Sequence, residues 1–313
     1  MLQLKKKYCK FCGKDAIVYI GYANLGLCRE HFIRFYENRI RKMLEKHRIS
    51  GSLMVCVSGG KDSMSLLTAI KRISEDTDLD VYAFHINLGI PNYSDECESI
   101  VKGYAKQLLV PTIVSNLKKD IGFSLPEIIS VSRKPPCAAC GIVRRWIINK
   151  TAYELGFDFV ATGHNIDDAS TFFLKALMTQ DYYSILRGQW EFLEPKKNYR
   201  LVGRIRPQFY LSERENMLYA QLNNIPIVDK PCPYSLRATI HKYKKAWSTL
   251  LEINPVSQIN LTKTLMKLRK MMTIEEPMLY QCKNCGYPTE NPNGICSFCR
   301  LISKVNKTLH NNS

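Results

Sequence analysis

Cys137, Cys140 and Cys232 remain once the better-explained cysteines of this chain have been assigned. The chain holds twelve cysteines; seven of them, with one histidine, fall into two spaced sets, Cys9, Cys12, Cys28 and His31, and Cys282, Cys285, Cys296 and Cys299. Each set offers four ligands as two close pairs, the pattern with which a short knuckle wraps a tetrahedral Zn2+, so two Zn2+ sites are expected. Disulfides are the weaker reading, because nothing in the sequence marks secretion and reducing compartments keep such thiols free. Cys56, inside the apolar run Leu53–Val57, and Cys97, in an expected helix, read as packing residues. The three leftover thiols, together with a phosphate-binding loop, point to ATP-driven sulfur chemistry.

That loop is Ser58-Gly59-Gly60-Lys61-Asp62-Ser63. A buried strand ending in Cys56-Val57, running through two glycines into a helix, aims successive backbone N–H groups at one point and adds a favourable helix dipole. Its spacing is not that of a Walker A motif; it resembles the PP-loop of ATP pyrophosphatases. Lys61 would neutralise transferring charge and Asp62 would help arrange Mg2+. The bland alternative is a glycine-rich turn between strand and helix. A second expected strand end reads Gly163-His164-Asn165-Ile166-Asp167-Asp168, again at a helix start. Ligands of parallel sheets bind beyond the carboxyl ends of strands, so Gly163 and Asp168 are placed at the same nucleotide. Asp167 and Asp168 could instead cap that helix, and His164 reads as a structural hydrogen-bonder. His85 and Asn87 end a third expected strand, where backbone groups would edge the adenine.

These motifs need a frame. Leu53–Val57, Val81–Leu88, Thr112–Val114, Phe159–Ala161 and Ile225–Val228 read as strands; 63–73, 95–109, 140–155, 167–178 and 212–223 read as helices. Such alternation predicts an α/β fold with a doubly wound parallel sheet. The segment 181–206, with Gly188 and Gly203 as breakers, reads as a hairpin-like insertion. Expected boundaries are an N-terminal zinc finger at 1–33, a linking helix at 34–50, a catalytic domain at 51–235, a basic helical region at 236–275 broken near Pro255, a zinc ribbon at 276–302 and a poorly ordered tail at 303–313. No uncharged apolar run approaches the ~20 residues of a membrane span. A cytoplasmic protein is expected.

The formal charge is +17, or roughly +14 after zinc ligation by thiolates. That excess favours a polyanionic partner. The charges cluster at Lys196–Arg206, Arg237–Lys245 and Lys263–Lys270, with Tyr199, Tyr243 and Trp247 interspersed. RNA is the expected partner, its phosphates met by the cations and its bases open to stacking.

Taken in order, the motifs resemble the tRNA 2-thiouridine synthetases of the TtuA/TtcA type, including the archaeal and eukaryotic wobble-uridine thiolases, in the PP-loop ATP pyrophosphatase superfamily. The motifs are the N-terminal cysteine–histidine set, Ser58–Ser63, His85–Ile90, Pro135–Gly141, Gly163–Asp168, Cys232–Tyr234 and the C-terminal cysteine set. The resemblance implies that Cys137, Cys140 and Cys232 ligate a 4Fe-4S cluster with one iron free for sulfide, a role thiolates suit. It implies a tRNA uridine 2-sulfurtransferase that adenylates the uridine C2 oxygen and replaces it with sulfur. The implied sulfur donor is free sulfide or the thiocarboxylate of a ubiquitin-like carrier, and a homodimer is also implied. A third zinc site or a redox dithiol is the residue-level alternative for the three cysteines. Two functional alternatives are a cluster-free persulfide thiolase and a zinc-containing RNA-binding protein with a relic nucleotide site. The chain departs from the family where relatives commonly read Asp-Asp-Glu-Ala: here Asp167-Asp168 is followed by Ala169-Ser170. Arg144 stands where relatives often carry lysine, and its charge suits a phosphate or tRNA contact.

Overall fold

Short apolar runs alternating with longer helical stretches assemble into a six-stranded sheet with helices on both faces. The computed structural model describes residues 7–187, 191–236, 238–271 and 278–310. A small hairpin, β1 (Val18–Ile20) and β2 (Leu25–Leu27), precedes α1 (Arg29–Lys46). Then follow β3 (Gly51–Cys56), α2 (Lys61–Ser74), β4 (Leu79–Asn87), α3 (Ser94–Gln107), β5 (Thr112–Asn116), α4 (Leu117–Ile121), α5 (Leu125–Val131), α6 (Pro136–Glu154), β6 (Phe159–Thr162) and α7 (Ile166–Met178). The chain continues through α8 (Tyr182–Arg187), β7 (Phe192–Leu193), β8 (Gly203–Ile205), α9 (Glu213–Leu222), α10 (Ile240–Ile253), α11 (Ser257–Met271), the strand pair β9 (Tyr280–Gln281) and β10 (Pro288–Thr289), and α12 (Ser297–His310).

The sheet order is β5-β4-β3-β6-β8-β7. All pairs are parallel except β7 with β8. Strand β3 sits centrally because both its faces are apolar: Leu53, Met54 and Val55 are fully buried, as a parallel strand covered on both sides requires. One face packs with α1, α2 and α9 in a core containing Leu53, Val55, Phe32 and Tyr219; the other packs under α6 with Met54, Phe84, Val160 and Val143. All helices expected in the catalytic region form, with ends shifted by a few residues.

Three expectations change. Ile225–Val228 is not a strand: Ile225 and Ile227 pack on the core, and Val228 N–H bonds the Gly59 carbonyl at 2.9 Å. The sheet position next to β6 goes instead to β8, from the insertion, which is hairpin-like as expected through the β7–β8 pairing. Gly188 lies outside the described residues. Gly203 starts β8 because nothing larger fits: a Cβ there would lie 2.4 Å from Phe159 Cδ1 and 3.1 Å from Pro195 Cδ. Gly203→Ala is therefore expected to destabilise by about 1–3 kcal/mol through overpacking, read as a lower denaturant midpoint; a midpoint at the wild-type value would show that Phe159 yields freely.

The second change is the tail. Residues from Lys304 to His310 continue α12, whose apolar stripe buries Phe298, Leu301 and Val305 against the α5–α6 side of the core; the last three residues lie outside the described ones. A stripe at helical spacing found a partner, which only the packing of the chain reveals. The third is the linking helix, which begins at Arg29 with Cys28 as its N-cap residue. His31 is thus a helix residue, and the first metal-ligand set and α1 share one element. The basic region breaks at Asn254 to Val256 as expected near Pro255, with Arg237 and 272–275 outside the described residues. Its helices lie on α7 and bury Trp247, Gln258 and Thr262. No helix of the described residues is long and apolar enough to cross a membrane.

Candidate active site

The loop after β3 is built as its sequence dictates. Gly59 takes φ +88°, and a Cβ there would meet Val228 Cγ2 at 2.9 Å; only glycine combines that left-handed backbone with so close a neighbour. Ser63 Oγ accepts from Ser58 N–H at 3.0 Å and donates to the Gly60 carbonyl at 3.1 Å, tying the turn across itself. Gly60 is the N-cap residue of α2, so the free N–H groups of its first turn lie beside the loop at the carboxyl edge of β3. Gly163 packs directly against this turn: its Cβ would lie 3.0 Å from Ser63 N. The second nucleotide motif therefore touches the first.

Beyond the loop lies a lysine–carboxylate network that the sequence motifs reveal only in part. Lys61 Nζ is 3.2 Å from Asp62 Oδ2 and 2.5 Å from Glu213 Oε1. Lys244, from basic helix α10, is 3.0 Å from Asp168 Oδ1 and 3.2 Å from Glu213 Oε2. Asp62 Oδ1 accepts from Asn165 Nδ2 at 3.1 Å and Asn216 Nδ2 at 2.7 Å. Burial raises the Asp62 carboxyl above the usual range, against the pull of Lys61. Burial raises the Glu213 carboxyl, but Lys61 and Lys244 together outweigh it and hold it below the usual range. Glu213, Asn216 and Lys244 escaped the motif reading because each is an ordinary helix residue there; only the packing of α9 and α10 brings them in.

Asn165 caps α7, accepting from Asp167 and Asp168 N–H at 2.9 and 3.1 Å. Asp168 completes the capping box and still offers Oδ1 to Lys244, so capping and site placement coexist. Asp167 turns away. It accepts from Glu213 N–H at 2.7 Å and Gln258 Nε2 at 2.6 Å, locking α7 to α9 and α11. Position 169, where the family resemblance implies glutamate, is a core alanine, 5% exposed. His164 bonds Thr162 Oγ1 at 3.1 Å, the structural role expected.

On the opposite flank His85 is buried; its Nδ1 donates to the Val57 carbonyl at 2.9 Å, and its Nε2 has no partner among the described residues. Asn87 organises a loop, donating to Asp95 and Glu98 at 2.9 and 2.8 Å and accepting from Gly89 N–H at 2.9 Å. Its side chain is fully engaged, so what it offers at the strand end is backbone. Cys56 is buried, as a packing residue should be. Cys97 is buried too, but directly behind Gly59, with Tyr93 close to its thiol.

The three remaining cysteines converge from two elements. Cys137 and Cys140 lie one turn apart at the start of α6, and Cys232 precedes a short turn of Pro233–Ser235 that contacts α6. Cys137 Sγ is 3.8 Å from the Tyr234 carbonyl. Burial, then the charges of the other two, raises the Cys140 thiol; burial and Cys232 raise Cys137. Cys137 is exposed and the others half-buried. Among the described residues, the ligand sets that gather within 4.8 Å are Cys9, Cys12, Cys28, His31 and Cys282, Cys285, Cys296, Cys299. The trio is more widely spaced, which does not fit a third single-ion site. In the two tight sets, Cys12–Cys28 and Cys285–Cys296 sulfurs are 3.7 and 3.8 Å apart, close to the ~3.8 Å edge of a tetrahedron with 2.3 Å Zn–S bonds. Cys28 Sγ and His31 Nδ1 are 3.3 Å apart. Both sets can hold one tetrahedral metal ion.

Residues 33–236 match the family model of the PP-loop domain, and residues 8–33 that of the 2-thiouridine synthetase TtuA N-terminal LIM domain. Over 304 residues the chain is 38% identical to the tRNA-5-methyluridine(54) 2-sulfurtransferase of Thermotoga maritima, covering 96% of this chain and 97% of that one. It is 31% identical to the protein of the same description from Pyrococcus horikoshii, covering 94% and 93%. The U34-tRNA thiolase NcsA from Methanococcus maripaludis, solved with its 4Fe-4S cluster, shares the fold with a TM-score of 0.81 at 24% identity, covering 96% of each chain. The chain belongs to the PP-loop tRNA 2-thiolation sulfurtransferase family of TtuA type.

Proposed function

We propose that this protein is an ATP-dependent tRNA uridine 2-sulfurtransferase. The observation that carries the reading is the joining of two poles at one sheet edge: the phosphate loop with Lys61 and Asp62, and the convergent thiols Cys137, Cys140 and Cys232. ATP lies with its outer phosphates on the α2 N-terminus, residues 58–63, and its adenine toward His85 and Asn87. The uridine C2 oxygen attacks the α-phosphorus; the new O–P bond forms as the bond to pyrophosphate breaks. A sulfur nucleophile then adds at C2, the C–O bond breaks, and AMP leaves. Lys61 and the loop N–H groups stabilise charge that develops on the phosphates. Asp62 and Asp168 would hold Mg2+, and Asn165 and Asn216 fix the Asp62 carboxylate for it.

Cys137, Cys140 and Cys232 fit a 4Fe-4S cluster, being all-thiolate donors spread too widely for one ion. Such a cluster supplies an open iron coordination position for sulfur. Pro135, Pro136, Pro231 and Pro233 fix the backbone around all three thiols, and exposed Cys137 keeps the trio reachable from solvent. Relatives at 38% and 31% identity are described as acting at position 54, which supports the T-loop uridine as the target. The sulfur donor is free sulfide or a thiocarboxylate carrier, and a homodimer is compatible with the exposed N-terminal module.

The two tight cysteine sets hold Zn2+ and fix the ends of the chain. Metal analysis is expected to find two zinc per chain, and their removal by chelation to lower the melting temperature by several degrees. Zinc-free protein with unaltered melting would contradict this. The reaction itself is tested by anaerobic incubation of unmodified tRNA with cluster-reconstituted protein, Mg·ATP and sulfide, followed by nucleoside mass spectrometry. A 2-thiouridine that depends on ATP and maps to the T-loop is expected. Its absence, with cluster intact and tRNA bound, would point to an RNA-binding protein or an obligatory carrier.

A further inference from the structure

Three arginines line the gap between α6 and β8, and the fold puts them in register. Asn149 of α6 clamps the chain just before β8: its Nδ2 donates to the Arg200 carbonyl at 2.8 Å and its Oδ1 accepts from Val202 N–H at 3.0 Å. From that anchor both elements run toward the catalytic edge. One helical turn back along α6, about 6 Å, stands Arg145. Two residues forward along β8, about 6.6 Å, stands Arg204, on the face that pairs with Val160 and packs under α6. Arg206 is the next residue on that face, a further step toward the loop. The Arg145 guanidinium folds back over Gly141, whose Cβ would lie 3.2 Å from Nη1; glycine leaves it that room. Arg145 is exposed, and Arg204 and Arg206 are half-buried.

Among the described residues, no carboxylate lies within 4.0 Å of Arg145 or Arg204. Burial and mutual repulsion lower Arg204 and bring Arg206 down to about 10, even with Asp168 beside it. Arg145 and Arg204, held near each other with no carboxylate at hand, are costly without a counter-anion. The recess runs from Asp168 at one end to Cys140 at the other, that is, between the two poles of the site. Arg206 borders the nucleotide side through Asp168, but Arg145 and Arg204 stand away from the ATP phosphates: the phosphate loop follows β3 and the adenine side is β4, whereas β8 lies on the far side of β6. The recess therefore faces the second, non-nucleotide substrate.

Resting on the reading above, we infer that Arg145, Arg204 and Arg206 form a phosphodiester clamp that holds the tRNA backbone beside the target uridine. Arg145 takes the phosphate at the mouth, and Arg204 and Arg206 take the one that follows the nucleotide inward. Guanidinium forks suit phosphate oxygens in two-point contacts. Backbone contacts of this kind set register without reading bases, so the clamp positions C2 between Asp168 and the thiols.

The test uses the full-length metal-loaded protein and an unmodified tRNA transcript, with binding measured by fluorescence anisotropy over a series of salt concentrations. Arg145→Gln and Arg204→Gln are each expected to weaken tRNA binding about tenfold or more. Each should lower the slope of log affinity against log salt by about one. The loss should be equal for tRNAs of different sequence, and Mg·ATP affinity should stay at the wild-type value. Arg145 is exposed, so its variant remains informative if Arg204→Gln folds poorly. Wild-type affinity and slope in Arg145→Gln would overturn the clamp while leaving the thiolation reading intact. A fall in Mg·ATP affinity with tRNA binding unchanged would assign the recess to the nucleotide and also overturn it. Wild-type protein that binds no tRNA would sink the thiolation reading itself.

Discussion

Cys137→Ala is expected to abolish formation of 2-thiouridine while leaving tRNA-dependent release of pyrophosphate within a few-fold of wild type. The separation follows from position. Cys137 is exposed at the first turn of α6 and its thiol makes a long contact to the Tyr234 carbonyl at 3.8 Å, so little packing is lost with it. The phosphate loop is held by other groups: Ser63 across the turn, Val228 behind Gly59, and Gly163 beside Ser63. Removing the thiol thus takes away sulfur delivery and not activation. Iron content should fall in parallel, because two thiolates hold a cluster less well than three. Pyrophosphate assays beside nucleoside mass spectrometry decide it. Loss of both activities together would mean that the thiols and the nucleotide site are coupled, and undiminished thiolation would remove Cys137 from the mechanism.

The second large effect is expected at Lys61. Lys61→Ala should lower the rate of pyrophosphate release on the order of 10²- to 10³-fold, the scale seen when one preorganised donor to a developing anion is lost. Lys61 Nζ lies against Asp62 and Glu213, so the loss is compounded: Asp62 loses its paired lysine, and Glu213 keeps Lys244 alone of its two lysine partners. Glu213→Gln serves as the control. It removes the partner that holds Lys61 in the absence of ATP and keeps the lysine, so it should retain most of the chemical step. If Lys61→Ala lost only a few-fold while Glu213→Gln lost far more, the lysine would be a structural ion-pair partner and the acid would be the working group.

What was legible in the chain follows from how each signal is stored. The glycine loop, the two spaced ligand sets and the alternation of strand and helix patterns are local: residues within about fifteen positions determine them, because backbone conformation and ligand reach are short-range. Lys61, Asp62, Asp168 and the metal-ligand sets could therefore be named from spacing. The leftover trio could be picked out too, though its union needed Cys232, ninety-odd residues from its partners, to be brought back to α6.

Other features depended on which surfaces meet. Ile225–Val228 has a strand's composition, but a strand also needs a free sheet edge, and β8 had already taken the place beside β6. Lys304–His310 read as part of a poorly ordered tail, yet Val305 is fully buried because α12 meets α5 and α6. Glu213 and Lys244 sit in unremarkable helices and become part of the site only when α9 and α10 close over the nucleotide edge. The arginine recess has the same origin. Arg204 and Arg206 were visible as a basic stretch, but their half-burial opposite Arg145 comes from the Asn149 clamp between α6 and β8. By itself the sequence determined the fold class, the phosphate loop and the residues that could bear ligands, since those rest on local conformation and donor chemistry. The tertiary structure alone decided which charges are paired, which are left without a carboxylate, and how the two poles face each other, because electrostatics and burial depend on distances that only packing sets.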